Sequence, residues 1–299
     1  MGVEQESPAV RVGTPVDGVE VVGALSPSRA ADFMSCPLLY RFRTIDRLPE
    51  PYSPDAVRGT VVHKVLEDLF DLPAADRTPA RAGEMLTPAW DALVEQEPEL
   101  TSMFGADEGP EAAAWLASCR TVLDRYFTLE DPRRLEPAER ELYVETLLDS
   151  RLLLRGFVDR IDVAPDGRIR VVDYKTGQSP GEMFEAKALF QMKFYALVIW
   201  RTRGVMPAML QLVYLGNGEM LRYVPDEADL RATERKVEAV WRAIRLAEAT
   251  GDWRPNRSRL CDWCAHQAIC PAWGGTPPPL PTQDRSGSDG LDVVDDGSL

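Results

Sequence analysis

Within one short stretch, Gly156 to Gly177, stand Asp159, Asp173 and Lys175, residue types suited to metal-assisted hydrolysis. The segment between them suits a tight hairpin. Pro165 presets φ at the first loop position, Asp166 accepts the bridge region, and Gly167 takes the left-handed position. Such a three-residue loop pairs Ala164 with Arg168, and counting outward sets Asp159 opposite Asp173. Strand side chains alternate, so Lys175 shares the face of Asp173 with Phe157, Ile161, Val163, Ile169 and Val171, a set expected to face the core. Two carboxylates roughly 5 Å apart across a ladder repel each other unless a cation holds them. A hard divalent ion, Mg²⁺ or Mn²⁺, is the expected answer. Lys175 is then placed to steady a nucleophilic water or a transition-state oxyanion.

The second chemical cluster is Cys261-x-x-Cys264 followed by Cys270-Pro271, flanked by Trp263 and Trp273. Three thiolates this close chelate one centre but lack a fourth ligand, which Cys36 can supply from the far end of the chain. That link would close most of the protein into one loop and couple ligand binding to folding. The chemistry admits zinc, with His266 as a further donor, or an iron–sulfur cluster. Cys119 lies outside the pattern and reads as a small buried hydrophobe. Five cysteines, an odd number without a secretory context, argue against a disulfide framework. Arg254, Arg257 and Arg259 adjoin the cluster and form a local basic patch.

Several elements must position these groups. Ser26-Pro27 reads as an N-cap and first turn of a helix halting at Cys36-Pro37, with Leu38 to Phe42 continuing beyond. Arg58 to Phe70 forms an amphipathic helix with a stripe of Val62, Val65, Leu66, Leu69 and Phe70. His63 lies at the edge of that stripe, where a lone histidine is ordinarily structural. Residues 71–136 read as a helical insertion around Trp90 and Leu93, with Glu111 to Phe127 helical. Glu139 to Leu148 reads as a strand leading into the hairpin, and its Glu141 or Glu145 is either a further carboxylate ligand or a solvated edge residue. Ala186 to Arg201 is a long helix on which Gln191 and Tyr195 share a face. A second hairpin turns at Gly216-Asn217-Gly218, and Asp226 to Thr250 is a long helix whose arginines interleave with glutamates.

Composition sets the outer bounds. At 299 residues, 44% hydrophobic and 27% charged, the chain is ordinary globular material. Its longest uncharged apolar run, Ala196 to Trp200, is far too short to span a bilayer, and no signal peptide opens it, so a cytoplasmic protein without a membrane partner is expected. The formal charge of −14 argues against broad nonspecific nucleic-acid binding. Residues 1–24 carry little pattern and 274–299 form an acidic Pro/Gly/Ser-rich tail; both are expected to be disordered, leaving a single domain over 25–273. No G-x-x-x-x-G-K-[ST] loop, and hence no ATPase motor, is present.

The run G-x-x-D-R-I-D, followed after a turn by V-V-D-Y-K-T-G, resembles the nuclease domain of the RecB-type branch of the PD-(D/E)XK superfamily. R-G-T-V-V-H-K-V-L-E resembles the helix that carries the metal-ligating histidine of that branch, and Q-x-x-x-Y the motif after its D-x-K. One early cysteine with a late C-x2-C-x5-C resembles the [4Fe–4S] clasp of AddB-type nucleases and of CRISPR-associated relatives. The resemblance covers roughly Leu25 to Trp273. It implies an α/β, restriction-endonuclease-like fold with a central mixed sheet flanked by helices. It implies a metal-dependent deoxyribonuclease, an exonuclease on single-stranded or free DNA ends, serving repair or recombination with a helicase or repair partner in trans. In that reading His63, Asp159, Asp173 and the Tyr174 carbonyl bind the ion, Lys175 positions the attacking water, and Gln191 and Tyr195 align the strand. Cys36, Cys261, Cys264 and Cys270 hold the cluster, with zinc as the alternative. A catalytically silent DNA-binding or scaffold subunit, and a CRISPR-adaptation-like end-processing nuclease, are the competing expectations.

Overall fold

The computed structural model describes residues 15–16, 18–104, 108–179 and 182–281. The expected disorder of the first fourteen residues and of 282–299 lies outside the described residues. The chain divides into two compact units, where one domain over 25–273 was expected. The first gathers Met1–Pro51, Glu145–Gly156 and Ala228–Asp296; the second comprises Tyr52–Val144 and Phe157–Glu227. Contacts between segments this remote in sequence leave no local signal to read.

The second unit carries the hairpin. Strands β4 (Glu139–Leu147), β5 (Leu152–Val163), β6 (Ile169–Lys175), β7 (Met209–Tyr214) and β8 (Glu219–Tyr223) belong to a mixed sheet in which β4 lies beside β5. β5 and β6 are antiparallel with Arg160 opposite Val172 and Val163 opposite Ile169. β6 runs parallel to β7, Lys175 beside Tyr214, and β7 is antiparallel to β8. The parallel step needs a crossover, and helix α7 (Glu182–Arg203) supplies it. From Phe194 to Ile199 that helix is buried on every side, as a helix laid on a sheet face must be.

The opposite face is covered by α3 (Pro54–Leu69), α4 (Pro79–Glu84), α5 (Leu86–Gln96) and α6 (Glu108–Leu129). Ser53 caps α3 by accepting from the Ala56 N–H, and Pro54 opens it, so it starts a turn earlier than the apolar stripe suggests. Val62, Val65, Leu66 and Leu69 pack with Trp90, Trp115, Leu123 and Tyr126 against Val172, Tyr174, Val213 and Leu215 of the sheet. Trp90 and Trp115 rings lie 4.8 Å apart, and the Trp115 indole donates to the Pro54 carbonyl. The region read as an insertion is therefore the core of this unit. Two expected core positions fall short: Val163, at the hairpin tip, is 44% exposed, and Phe157 is only half-buried.

The first unit holds the short hairpin β1 (Pro15–Val16) and β2 (Val19–Glu20), then β3 (Gly23–Leu25), α1 (Pro27–Ser35), α2 (Pro37–Tyr40) and α8 (Glu227–Thr250). β3 pairs in parallel with the start of β5, Gly23 beside Leu152 and Leu25 beside Leu154. Strands at 18–25 correct the expectation of a patternless start; three residues paired to a partner so far along the chain show no alternation to detect. Ser26 caps α1 as expected, accepting from the Arg29 N–H, and the helix ends at Cys36. The tail is likewise ordered to Pro281, because the buried Arg41 guanidinium donates to the Pro278 carbonyl.

Candidate active site and cysteine cradle

The hairpin loop closes as its residues dictate: Gly167 has φ 82°, and the Ala164 N–H donates to Arg168 O at 2.9 Å. The register that follows brings Asp159 to the backbone between Asp173 and Lys175. Asp159 Oδ2 accepts from the Tyr174 N–H at 2.6 Å, while the Tyr174 carbonyl lies 3.0 Å from His63 Nε2 of α3. A carbonyl only accepts, so Nε2 carries a proton and donates it there. Nδ1 faces Asp159 Oδ2 at 3.6 Å. One atom each of His63, Glu141 and Asp159 lie within 4.8 Å of one another, the spacing of a shared ion.

Glu141 was the less certain of the expected carboxylates, and the structure brings it in. It sits on β4 with φ 43°, a left-handed conformation that costs a non-glycine residue about 1–2 kcal/mol. Burial, and then the charges of Asp159, Glu67 and Asp173, push its carboxyl up to about 8. Such crowding is relieved by a bound cation, and the donor set of one imidazole with carboxylates fits a divalent ion.

Asp173 stands beside that group on β6. It is only 2% exposed, and Lys175 Nζ sits 3.1 and 2.9 Å from its two oxygens. Asp173 is not among the three residues grouped within 4.8 Å, and its charge is opposed by the neighbouring ammonium. Burial still raises the Asp173 carboxyl to about 6, with Lys175 opposing and Asp159 adding to the rise. Burial lowers the Lys175 ammonium, but Asp173 and Asp159 outweigh it, so its pKa is raised and the proton stays on Nζ. Lys175 also donates to Gln191 Oε1 of α7 at 3.0 Å, which joins Gln191 to the site. Tyr195, one turn further along, is buried.

Sequence reasoning missed the layer beneath. Arg160, 1% exposed, forks onto Glu130 at 2.8 and 3.0 Å and also donates to the Tyr174 hydroxyl. Gln211 donates to the same Glu130 at 2.9 Å. Tyr174 is thereby fixed at its ring while its N–H and carbonyl serve Asp159 and His63. Alternation puts Arg160 on the face opposite the expected core set, and it is buried because helices cover that face too. At the other end of β6, Gly177 meets Gly216, whose N–H donates to Gly177 O at 3.0 Å; a Cβ on Gly216 would lie 2.3 Å from that backbone.

In the first unit Cys36, Cys261, Cys264 and Cys270 line a cavity of about 60 Å³ with Leu38 and Phe42. Backbone N–H groups of Asn256 and Ser258 donate to the sulfurs of Cys36 and Cys261, each at 3.4 Å. The Cys264 thiol is raised by burial; the His266 N–H lowers it and the other three sulfurs raise it further. Its neighbours are thus Cys261, Cys270 and the remote Cys36. His266 itself is not a fourth or fifth donor to this cavity: its Nε2 lies 2.8 Å from Glu50 Oε1 and its ring meets Phe42 edge-on. Cys119 is fully buried in the other unit, its thiol pushed up to about 11 by burial.

Residues 24–271 match the family model of the PD-(D/E)XK nuclease superfamily. Over 171 residues, 56% of this chain, the sequence is 30% identical to an ATP-dependent helicase/deoxyribonuclease subunit of Streptococcus equi subsp. zooepidemicus. Over 65 residues, 22% of this chain, it is 46% identical to the Gene 69 protein of Mycobacterium phage D29. These matches span 15% and 21% of the relatives' own lengths. A crystal structure from Eubacterium rectale assigned as an exonuclease superposes with a TM-score of 0.52 at 14% identity, over 81% of this chain and 87% of that one, and supports the fold alone. With its mixed sheet, its flanking helices and a family match over most of its length, this chain belongs to the PD-(D/E)XK nuclease superfamily.

Proposed function

We propose that this chain is a divalent-metal-dependent deoxyribonuclease that degrades single-stranded DNA from an end. The observation carrying the reading is the grouping of His63, Glu141 and Asp159 beside the Asp173–Lys175–Gln191 chain of contacts. His63 through Nδ1, Asp159 and Asp173 are the residues that would hold the ion, with the Tyr174 carbonyl and Glu141 beside them. A divalent ion there supplies Lewis-acid polarisation of the phosphodiester and a more acidic water. Lys175 keeps its proton and presents an N–H to an oxygen that gains charge as the phosphate is attacked. Gln191 holds that ammonium in one direction, and Tyr195 continues the same helix face toward the strand. The buried Arg160–Glu130 pair keeps the Tyr174 backbone in register with both side chains that use it.

The thiolate cradle is proposed to hold a [4Fe–4S] cluster as a structural clasp. Four thiols around one cavity, in the layout of one early cysteine and a late C-x2-C-x5-C, support the cluster, with zinc as the alternative. The engagement of His266 Nε2 by Glu50 supports a centre held by the thiolates. The relation to a helicase/deoxyribonuclease subunit supports a role in DNA repair or recombination with a helicase in trans. No described helix is long and apolar enough to cross a membrane, in keeping with a cytoplasmic site of action.

Digestion of a strand labelled at either end, with Mn²⁺, Mg²⁺ or chelator, tests the reading. Metal-dependent shortening from one end, reduced about a thousand-fold or more by Asp159→Asn, is expected. Absence of cleavage with either metal by a folded, cluster-loaded protein would leave the catalytically silent DNA-binding subunit instead.

A further inference from the structure

The segment that carries the late cysteines also presents the most exposed aromatic of the described residues. Trp263 is 79% exposed, and Leu260 and Trp273, which also line the cysteine cavity, are 49% and 45% exposed. A free indole of this size is uncommon on a soluble surface and marks a contact. The residues beside it are cationic. Arg257 lays its guanidinium 4.4 Å from the centroid of the Trp273 ring. Arg259 is exposed, with no ion-pair partner among the described residues, and Arg254 pairs with the exposed Asp252 at 2.8 Å. In a chain of net charge −14, three arginines between 254 and 259 form a local reversal of sign.

This surface is held rigidly. Ser258 caps the turn Arg259–Trp263, Gln267 donates to the Cys261 carbonyl, and Asn256 donates through its side chain to Ser35 O at 3.0 Å. His266 is anchored on Glu50, which Arg43 grips with two hydrogen bonds of 2.7 and 2.8 Å. Trp263 is therefore displayed on a backbone fixed from both sides.

We propose that Trp263, with the stacked Arg257–Trp273 pair and Arg259, is a binding platform for single-stranded nucleic acid outside the acid site. The inference deepens the nuclease reading and rests on it for the identity of the strand. An exposed indole offers a face on which any base stacks, and a guanidinium already lying on a second ring offers charge to the adjacent phosphates. Stacking does not read sequence, which suits a site that must grip every strand brought to it. The charge chooses the occupant: a polyanion complements three arginines, whereas a protein partner would be expected to cover a wider continuous apolar area than two indoles and one leucine.

Binding is measured separately from cleavage, in the Asp159→Asn background and with anaerobically purified protein. The probe is a fluorescein-labelled oligo(dT) of about 15 nucleotides, against a blunt duplex of equal length. Trp263→Ala should weaken oligo(dT) binding about ten-fold, with melting temperature and visible spectrum unchanged. Arg257→Gln should weaken it less and lower the slope of log affinity against log salt by about one. Quenching of tryptophan emission by the oligonucleotide should fall in Trp263→Ala. Unchanged affinity in both variants overturns the platform, and so does a Trp263→Ala variant that keeps its DNA affinity but loses self-association. Either result leaves the end-labelled digest free to succeed or fail by itself.

Discussion

The acid site and the cysteine cradle both join residues remote in sequence, yet they are held together in opposite ways. Around the acid site nearly every polar group has a protein partner: Asp159 on the Tyr174 N–H, His63 on its carbonyl, Asp173 on Lys175, Lys175 on Gln191. Below it lies the Arg160–Glu130 pair, and around it the tryptophan-rich core of the second unit. At the cradle the backbone is hydrogen-bonded, but the sulfurs themselves accept only long N–H···S contacts and ring a cavity. On the reading proposed above, the difference teaches what each ligand would do: the preorganised acid site would use its ion for chemistry, and the cradle would use its ligand to hold the fold.

That contrast can be broken most sharply by exchanging the roles of metal and protein. Lys175→Met should cut strand cleavage by about 10²–10³ while moving the melting temperature little, since it removes a group that acts on the transition state. Cys264→Ser should act the other way. The first unit should lose its cooperative transition and the visible chromophore together, and the second should keep its own. A protein in which both variants change stability equally would abolish the distinction.

A smaller effect tests the layer under the acid site. Arg160→Met leaves Glu130 buried without its cation, a loss of about 3–5 kcal/mol in denaturant unfolding. Burial raises the Glu130 carboxyl, but the Arg160 fork outweighs it, with Arg170 and Gln211 adding, so its pKa is lowered on folding. A lowered folded pKa contributes stability that is present above the unfolded value, about 4.3, and is lost as pH falls through the folded value. The stability gap between wild type and Glu130→Gln should therefore be constant near neutrality and close in acid below about pH 4. A gap independent of pH would mean the pair carries no charge in the folded protein. Smallest is Glu141→Gln, which removes one like charge from a crowded site. Metal-free stability should stay level or rise by up to about 1 kcal/mol, while Mn²⁺ affinity falls.

Much of the acid site was legible because its geometry is local. A Pro-Asp-Gly loop sets the register of two strands, and the register sets Asp159 against the backbone beside Asp173. The cap at Ser26 and the stripe of α3 were legible for the same reason. What was hidden depends on remote pairing. Glu141 enters through a left-handed bend in β4 that no pattern announces, and Glu130 meets Arg160 across thirty positions. β3 is three residues long and finds its partner at 152–154, and the supposed insertion is a core because Trp90 and Trp115 meet each other and the sheet.

The central claim is that the residues around Asp159 bind a divalent ion before any substrate arrives. Titration of chelator-treated protein with Mn²⁺, followed by loss of the free-ion paramagnetic resonance signal, tests this directly. The account predicts saturable binding that is lost in His63→Ala and in Asp159→Asn but retained in Trp263→Ala. Binding of equal affinity in all four proteins would contradict it.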